Sequence, residues 1–162
     1  MKSMLFTDLS DDEIKKILSF MEIRHYDPMS IIFKEGEKGN EMFLIEKGEV
    51  EVFIERKDKF ISLAKLTSGD FFGEMGILRN NTRSASIQTL ENVSLFVLTR
   101  SDIMTIITHS GDLAAKFLLN LSEVLAERIA NTDKEIENWF LINDALVENE
   151  KFRHLYFKTH KK

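Results

Sequence analysis

The residues with the clearest chemical potential lie in one short stretch, Phe72 to Ser86. Gly73 and Gly76 lack Cβ atoms, so backbone N–H groups beside them can approach an anion closely. Arg83 adds a planar guanidinium, whose N–H groups match phosphate oxygens better than a lysine ammonium does. Glu74 has the opposite charge, which suits a carboxylate that accepts a hydrogen bond from a sugar hydroxyl or pairs with an arginine. This order of residue types predicts a cradle for a sugar phosphate.

A short apolar segment separates the glycines from the arginine. One helical turn over residues 75–78 would aim its unpaired N–H groups at a phosphate. Ser84 and Ser86 add hydroxyls that can donate to phosphate or to the edge of a base. The predicted ligand-binding residues are therefore Phe72, Gly73, Glu74, Met75, Gly76, Ile77, Leu78, Thr82, Arg83, Ser84, Ala85 and Ser86.

The stretch resembles the phosphate-binding cassette of cyclic nucleotide-binding domains, in which Phe-Gly-Glu, an apolar turn and Pro-Arg-small-Ala-Ser/Thr follow in this order. Thr82 stands where proline is commonest in that family, which removes a fixed φ but no ligand. Residues 31–50 and 97–102 also resemble the family's strand and turn pattern, so the likeness extends from about Phe6 to about Ile129. The resemblance implies Arg83 on the cyclic phosphate and Glu74 on the ribose 2′-hydroxyl. It also implies a base capped from a helix, with the amides near Gly73, Gly76, Ile77 and Leu78 completing the anion site.

The identity of the base is less sharply indicated. Residues 82–86 resemble the threonine-arginine-threonine variant of cGMP-dependent kinases, in which the residue at the position of Ser84 reads a syn guanine. Arg83, Ser84 and Ala85 equally resemble cAMP-binding bacterial activators, and no residue of strand 42–54 offers an evident partner for the guanine O6. We therefore predict cAMP or cGMP as the ligand, with a small preference for cAMP.

The surrounding elements indicate a mainly β fold with flanking helices. Ser10 with Glu13 three residues later is a capping box, which predicts a helix that ends at about Met21. Between Ile31 and Leu98 short runs alternate apolar and polar residues, as half-buried strands do. Six of the seven glycines lie between Gly36 and Gly76. These turns favour an antiparallel β jelly roll or barrel over about residues 23–99, with an N-terminal helix and C-terminal helices.

The pattern becomes helical after Arg100. Ser101 is expected to cap a helix from Asp102 to about Thr108, and Gly111 to break the chain before a longer helix capped by Asp112. The apolar stripe of that helix includes Leu118, Leu121 and Leu125 at near-heptad spacing. Two interpretations stay open: the helix packs on its own β domain, or helix 112–131 forms a homodimer, as in catabolite-activator-like members of the family.

The predicted domains are a cyclic nucleotide-binding domain over 1–131 and a helical tail over 132–162. In the tail, apolar or aromatic residues recur at helical spacing. We expect Trp139 and Phe140 to pack, as aromatic residues on helices usually do. The alternatives are a lid on the base or a docking face for an unknown effector protein. The closing Lys158, His160, Lys161 and Lys162 are interpreted as a solvated terminus.

Composition narrows the function further. A net charge of −5 over 162 residues argues against non-specific binding of nucleic acid, which depends on clustered lysine and arginine. The chain has no cysteine and no apolar run of the roughly 20 residues that span a membrane. The four histidines lie outside the predicted strands from Ile31 to Leu98, so no metal site of the jelly-roll enzyme type is expected. These features predict a cytoplasmic protein that is not an enzyme.

The sequence thus predicts a regulatory sensor that couples cyclic nucleotide binding to rearrangement of its C-terminal helices. A transcription regulator of the catabolite-activator type is one alternative, although no basic helix-turn-helix follows Asn131. An interaction scaffold with a non-binding cassette is another, although the chain has both Glu74 and Arg83.

Overall fold

A computed structural model of the chain describes residues 2–57, 59–79, 82–148, 154 and 158. A short 3₁₀ helix, Met4–Phe6, precedes four α-helices: α1 Asp11–Leu18, α2 Glu74–Arg79, α3 Arg100–His109 and α4 Gly111–Glu148. The strands are β1 Glu22–Tyr26, β2 Ile31–Phe33, β3 Glu41–Lys47, β4 Val50–Arg56, β5 Lys59–Leu66, β6 Phe71–Phe72, β7 Ser86–Thr89 and β8 Val93–Thr99. The helix predicted for the tail is present to Glu148, whereas Phe152, Leu155, Tyr156, His160, Lys161 and Lys162 lie outside the described residues.

The eight strands form two four-stranded antiparallel sheets. Their orders are β1-β8-β3-β6 and β2-β7-β4-β5, so strands distant in sequence become neighbours. This arrangement confirms the predicted mainly β fold with helices at both ends. The two sheets are separate and do not close into a barrel, because no hydrogen-bonded ladder among the described residues joins them.

The core lies between the two sheets. Along most of β8 its buried side chains alternate with less buried residues, as the period of two predicts, whereas β3 is buried on both faces from Met42 to Ile45. Phe43 and Ile45 of β3 face Val50 of β4 and Ile87 of β7, and each is 2% exposed or less. Phe72, Val93, Leu95 and Val97 complete this cluster. Burial of these side chains fixes the strands from which the site loops emerge.

Helix α1 begins at the predicted capping box. The Glu13 N–H donates to Ser10 Oγ at 3.3 Å, and the Ser10 N–H donates to Glu13 Oε2 at 2.8 Å. Lys116 Nζ lies 2.7 Å from Glu13 Oε1. These hydrogen bonds, that of Lys116 first, lower the pKa of Glu13 to about 2. The helix ends at Leu18 rather than at Met21.

The caps of the C-terminal helices differ from the prediction. Thr99, not Ser101, is the N-cap of α3, because Asp102 lies three residues later and closes a reciprocal capping box with it. The break before α4 lies at Ser110, whose backbone is non-helical. Gly111 is the first residue of α4 rather than the break, and Asp112 lies in its first turn.

The chain divides into two compact units, Met1–Leu121 and Ser122–Lys162, and α4 contributes to both. In the first unit Leu121 is 1% exposed, so this residue belongs to the chain's own core. In the second unit Trp139 and Phe140 are 67% and 69% exposed, so the prediction that they pack was wrong. The predicted boundary at residue 131 stays a prediction. Within the described part of the chain, no helix is long and apolar enough to cross a membrane.

Candidate functional site

The predicted site begins where β6 ends. The ring of Phe72, the last residue of β6, stacks on Phe43 with 5.1 Å between centroids. Gly73 follows with a φ of 79°, a left-handed conformation that costs glycine little and other residues more. Glu74 is then the first residue of α2 and is half-buried. Gly73 therefore lets a carboxylate follow a buried strand directly.

The arginine segment is held by the turn of residues 34–39. The Arg83 N–H donates to the Glu37 carbonyl at 2.7 Å, and the Gly36 N–H donates to the Arg83 carbonyl at 2.9 Å. The Glu35 N–H donates to Ser86 Oγ at 2.9 Å. Ser86 is buried, and its hydroxyl oxygen braces this turn. Ser86 therefore helps to position this turn, and its predicted contact with the ligand stays a prediction.

The Arg83 side chain is buried, with 7% of the residue exposed. Its NH1 group donates to the carbonyls of Glu41 and Gly73, at 2.8 Å and 3.1 Å. Its Nε is buried without a hydrogen-bond partner, and no other side-chain nitrogen or oxygen of the described residues is buried in that way. A buried N–H without an acceptor costs about 1 to 3 kcal/mol. A phosphate oxygen is an acceptor that would remove this cost.

Three glycines lie against the guanidinium. A Cβ atom on Gly39 would come within 2.2 Å of Arg83 Cζ, and one on Gly73 within 2.8 Å of Arg83 NH1. A Cβ on Gly76 would meet the Gly39 carbonyl oxygen at 2.7 Å and Arg83 NH1 at 2.9 Å. The guanidinium fits here because these three positions have no side chains. Gly39 was not among the predicted site residues.

Charged groups around Arg83 act in opposite directions. Burial lowers the pKa of Arg83, and the carboxylates of Glu41, Glu37 and Glu74, in that order, oppose the shift. Glu41 is itself held by Arg24 of β1, whose NH2 and NH1 donate to its two carboxylate oxygens at 2.8 Å and 3.2 Å. The hydrogen bonds that Arg24 donates to Glu22 and to Glu41, that to Glu22 first, raise the pKa of Arg24. The carboxylates of Glu41, Glu37 and Glu74 therefore favour the protonated form of Arg83 against the cost of its burial.

The remaining predicted residues fall into two groups. Ile77, Gly76 and Ala85 are buried, whereas Met75, Leu78, Thr82 and Ser84 are exposed. The Gly76 N–H donates to the Gly73 carbonyl at 3.1 Å, so this amide is less available to an anion than the sequence predicted. Ser84, in contrast, is exposed, so its hydroxyl can contact a bound ligand.

Sequence reasoning missed three contacts that position the site. The Arg83 guanidinium lies over the ring of Phe33 at 4.0 Å from its centroid. The backbone carbonyl of Glu41 accepts from Arg83, and Arg100 NH1 donates to the carbonyls of Ile77 and Leu78 in α2. Phe33 gave no signal because an aromatic residue in a strand usually serves the core. Backbone acceptors carry no signal of residue type at all.

A metal centre has no basis in the described residues. No group of three or more histidine, cysteine, aspartate or glutamate side chains among them could hold a metal ion. Arg83 lies beside the three glycines and near Glu74, and these groups suit recognition of a sugar phosphate.

Comparison with known proteins agrees with this geometry. The family model described as cyclic nucleotide-binding domain matches residues 23–110. The chain is 32% identical over 136 residues to the cyclic AMP receptor protein of Thermus thermophilus, covering 83% of this chain and 61% of that protein. It is 32% identical over 119 residues to a cGMP-dependent protein kinase of Drosophila melanogaster, covering 70% of this chain and 12% of the kinase.

A solved structure gives the same picture. The crystal structure of the Thermus thermophilus catabolite activator protein superposes with a TM-score of 0.77 at 32% identity, covering 86% of this chain and 64% of that one. The chain thus spans less than two thirds of the length of each of these relatives.

Proposed function

This chain belongs to the cyclic nucleotide-binding domain family, and we propose that it is a regulatory sensor that binds cAMP with a small preference over cGMP. The observation that carries the proposal is the buried Arg83 guanidinium, which lies among three glycines with its Nε unpartnered. An arginine in this setting suits a compact, singly charged phosphodiester, because the planar fork can bind two oxygens at once. Glu74, at the start of α2, is the proposed acceptor for the ribose 2′-hydroxyl.

Calorimetric titration with cAMP and with cGMP tests the proposal. We expect both to bind, with cAMP favoured by about 1 to 2 kcal/mol, since discrimination would depend on one hydroxyl such as that of Ser84. Ser84 is exposed and can donate to either base or to phosphate. Tighter binding of cGMP by tenfold would reverse the preference, and absence of binding to either nucleotide would remove the proposed function.

A route for coupling to the C-terminal helices starts at Arg100. This first residue of α3 donates from NH1 to the carbonyls of Ile77 and Leu78 in α2, and its backbone N–H donates to the Asn40 carbonyl at 3.0 Å. Helix α2, which begins with the proposed ribose-binding residue Glu74, is therefore hydrogen-bonded to α3, the helix that leads into α4. A ligand shifts a conformational equilibrium only when it binds one of the two states more tightly. If the nucleotide binds one position of α2 more tightly, the hydrogen bonds of Arg100 would transmit that preference to α3.

Replacing Arg100 with alanine should weaken this coupling. We expect saturation with cAMP to change the fluorescence of Trp139, the only tryptophan, in the parent protein. The Arg100→Ala variant should show a smaller change and, by reciprocity, weaker cAMP binding by about 0.5 to 2 kcal/mol. Lys47→Ala, which removes an exposed cation at the end of β3, is the control and should behave like the parent. An unaltered Trp139 response in Arg100→Ala would exclude this route.

We also propose that the chain forms a homodimer through α4, with a contact that continues along the helix beyond residue 131. Leu121 is buried in its own unit and is not available to a partner. Ile129 and Ile136, seven residues apart on one side of α4, are 63% and 62% exposed. Exposed apolar side chains at heptad spacing suit a second helix of the same kind. Sedimentation equilibrium, which measures the mass in solution, tests this proposal.

The alternatives have less support. A transcription regulator of the catabolite-activator type would need a DNA-binding element outside residues 132–148, which form one uninterrupted stretch of α4. In a scaffold with a non-binding cassette, the buried Arg83 Nε–H would have no anion to accept its hydrogen bond. We propose a cytoplasmic protein without catalytic activity, because cyclic nucleotides are made inside cells and the site contains binding groups rather than a nucleophile beside a base.

A further inference from the structure

The ring of Phe33 lies directly beneath the cation of the site. Phe33 is the last residue of β2, and its centroid is 4.0 Å from Arg83 Cζ. The ring of Phe43 is farther away, at 5.7 Å. Phe33 also contacts the rings of Phe43 and Phe72, with centroids 5.8 Å and 5.9 Å apart. The guanidinium is therefore seated on one edge of an aromatic cluster in the core.

Burial makes this contact stronger than it would be at the surface. Arg83 is 7% exposed, and loss of solvation lowers its pKa. Attraction between a cation and an aromatic ring increases when both are desolvated, and distances below about 6 Å are effective. Phe33 thus replaces part of the hydration that Arg83 loses on folding.

The contact also leaves the donors of Arg83 available. The ring attracts the positive charge without accepting a directed hydrogen bond, and the two carbonyl contacts both use NH1. Nε is left without an acceptor. Two carbonyls and one ring therefore fix the guanidinium from different sides while its Nε–H stays free to donate to an anion.

We propose that Phe33 is a positioning residue for Arg83, which holds the guanidinium in the orientation that binds the cyclic phosphate. The inference rests on the proposed function and adds a residue outside the 72–86 stretch to the site. The position of Phe33 is fixed by the turn that follows it, since Gly36 and Glu37 are hydrogen-bonded to the backbone of Arg83.

A double-mutant cycle tests the proposal. Phe33→Leu removes the ring but keeps an apolar side chain, and should weaken cAMP binding by about 5- to 20-fold. Phe33→Tyr keeps the ring and should stay within about twofold of the parent. In an Arg83→Ala background, Phe33→Leu should have almost no further effect, because the group that the ring positions is absent. Calorimetry measures the affinity of the parent and of the two Phe33 variants for cAMP. NMR titration at millimolar cAMP measures the weaker binding of Arg83→Ala and of the Arg83→Ala, Phe33→Leu double variant.

Controls separate positioning from packing. Phe43→Leu alters the same aromatic cluster through a ring that is farther from the cation, so it should lower the melting temperature with a smaller loss of affinity than Phe33→Leu. The NMR signal of the Arg83 Nε–H gives a reading without nucleotide. Ring currents from Phe33 should shift it upfield in the parent, and Phe33→Leu should abolish the shift.

Each outcome decides the question. Parent-like affinity of Phe33→Leu, or an equal loss in the presence and absence of the Arg83 side chain, would overturn the positioning role while leaving the proposed function intact. Failure of the parent to bind either cyclic nucleotide would overturn the proposed function and the positioning role with it. The inference is supported if the parent binds cAMP, Phe33→Leu binds it more weakly and Phe33→Tyr binds it like the parent. In the Arg83→Ala background, Phe33→Leu must then leave the affinity for cAMP unchanged.

Discussion

Replacing Arg83 with alanine is expected to reduce the affinity for cAMP by about 2 to 5 kcal/mol, or roughly 30-fold to several-thousand-fold. The size of the loss follows from burial, since a phosphate bound beside Arg83 would be left without its counter-charge in a site that excludes water. Calorimetric titration measures the change. Arg56→Ala is the matched control, because Arg56 is an exposed arginine held by Glu35 in a bidentate ion pair.

The structure adds a cost in stability to the same substitution. Arg83 NH1 donates to the carbonyls of Glu41 and Gly73, which would lose this donor. We expect a lower melting temperature, with a free energy of unfolding reduced by about 1 to 3 kcal/mol. The affinity must therefore be measured well below the melting temperature. A folded Arg83→Ala protein that binds cAMP as tightly as the parent would refute the assigned site.

Replacing Glu74 with glutamine should weaken cAMP binding by about 1.5 to 3 kcal/mol, because a hydrogen bond to a charged acceptor is stronger than one to a neutral amide. The decisive comparison uses 2′-deoxy-cAMP, which lacks the hydroxyl that Glu74 is proposed to bind. With that ligand the effect of the substitution should shrink. Calorimetry of both proteins with both ligands gives the four values needed.

Glu37→Gln is the control for charge. Glu37 and Glu74 both raise the pKa of Arg83, so each substitution removes a negative charge near the guanidinium. Only Glu74 is proposed to contact the sugar, so Glu37→Gln should affect cAMP and 2′-deoxy-cAMP alike. If Glu74→Gln behaved in the same way, with equal losses for the two ligands, its contact with the 2′-hydroxyl would be excluded.

Local signals predicted the parts of the fold that local interactions determine. Ser10 and Glu13 are three residues apart, and their reciprocal hydrogen bonds were foreseen from that spacing. The same rule, applied at Ser101 instead of Thr99, gave the wrong start for α3. The correct cap was also encoded locally, since Thr99 and Asp102 have the spacing of a capping box.

The surroundings of Arg83 could not be predicted in that way. Its carbonyl partner Glu41 lies 42 residues earlier in the sequence, and the ring of Phe33 belongs to another strand. Only the order of strands in the two sheets brings these groups together, and periodicity does not reveal that order. The residue type of Arg83 identified its chemistry, while the groups that orient it became visible only in three dimensions.

The wrong prediction for the aromatic residues of α4 has a different cause. Helical spacing shows which side chains share a face but not what covers that face. Leu121 lies in the core, whereas Trp139 and Phe140 are exposed. Both kinds of position have apolar residues, so the sequence could not separate them.

The glycine at position 39 bears on how such a sensor could change during evolution. Gly39 has an ordinary backbone conformation, yet a methyl group there would come within 2.2 Å of the guanidinium carbon of Arg83. Alanine would fit the local chain but not the arginine, and a single nucleotide change in a glycine codon is enough to introduce it. Under the proposed function, a lineage could thus lose its response to nucleotide in one step while keeping the fold of the β domain. Descendants that lack the response need not have lost Arg83 itself.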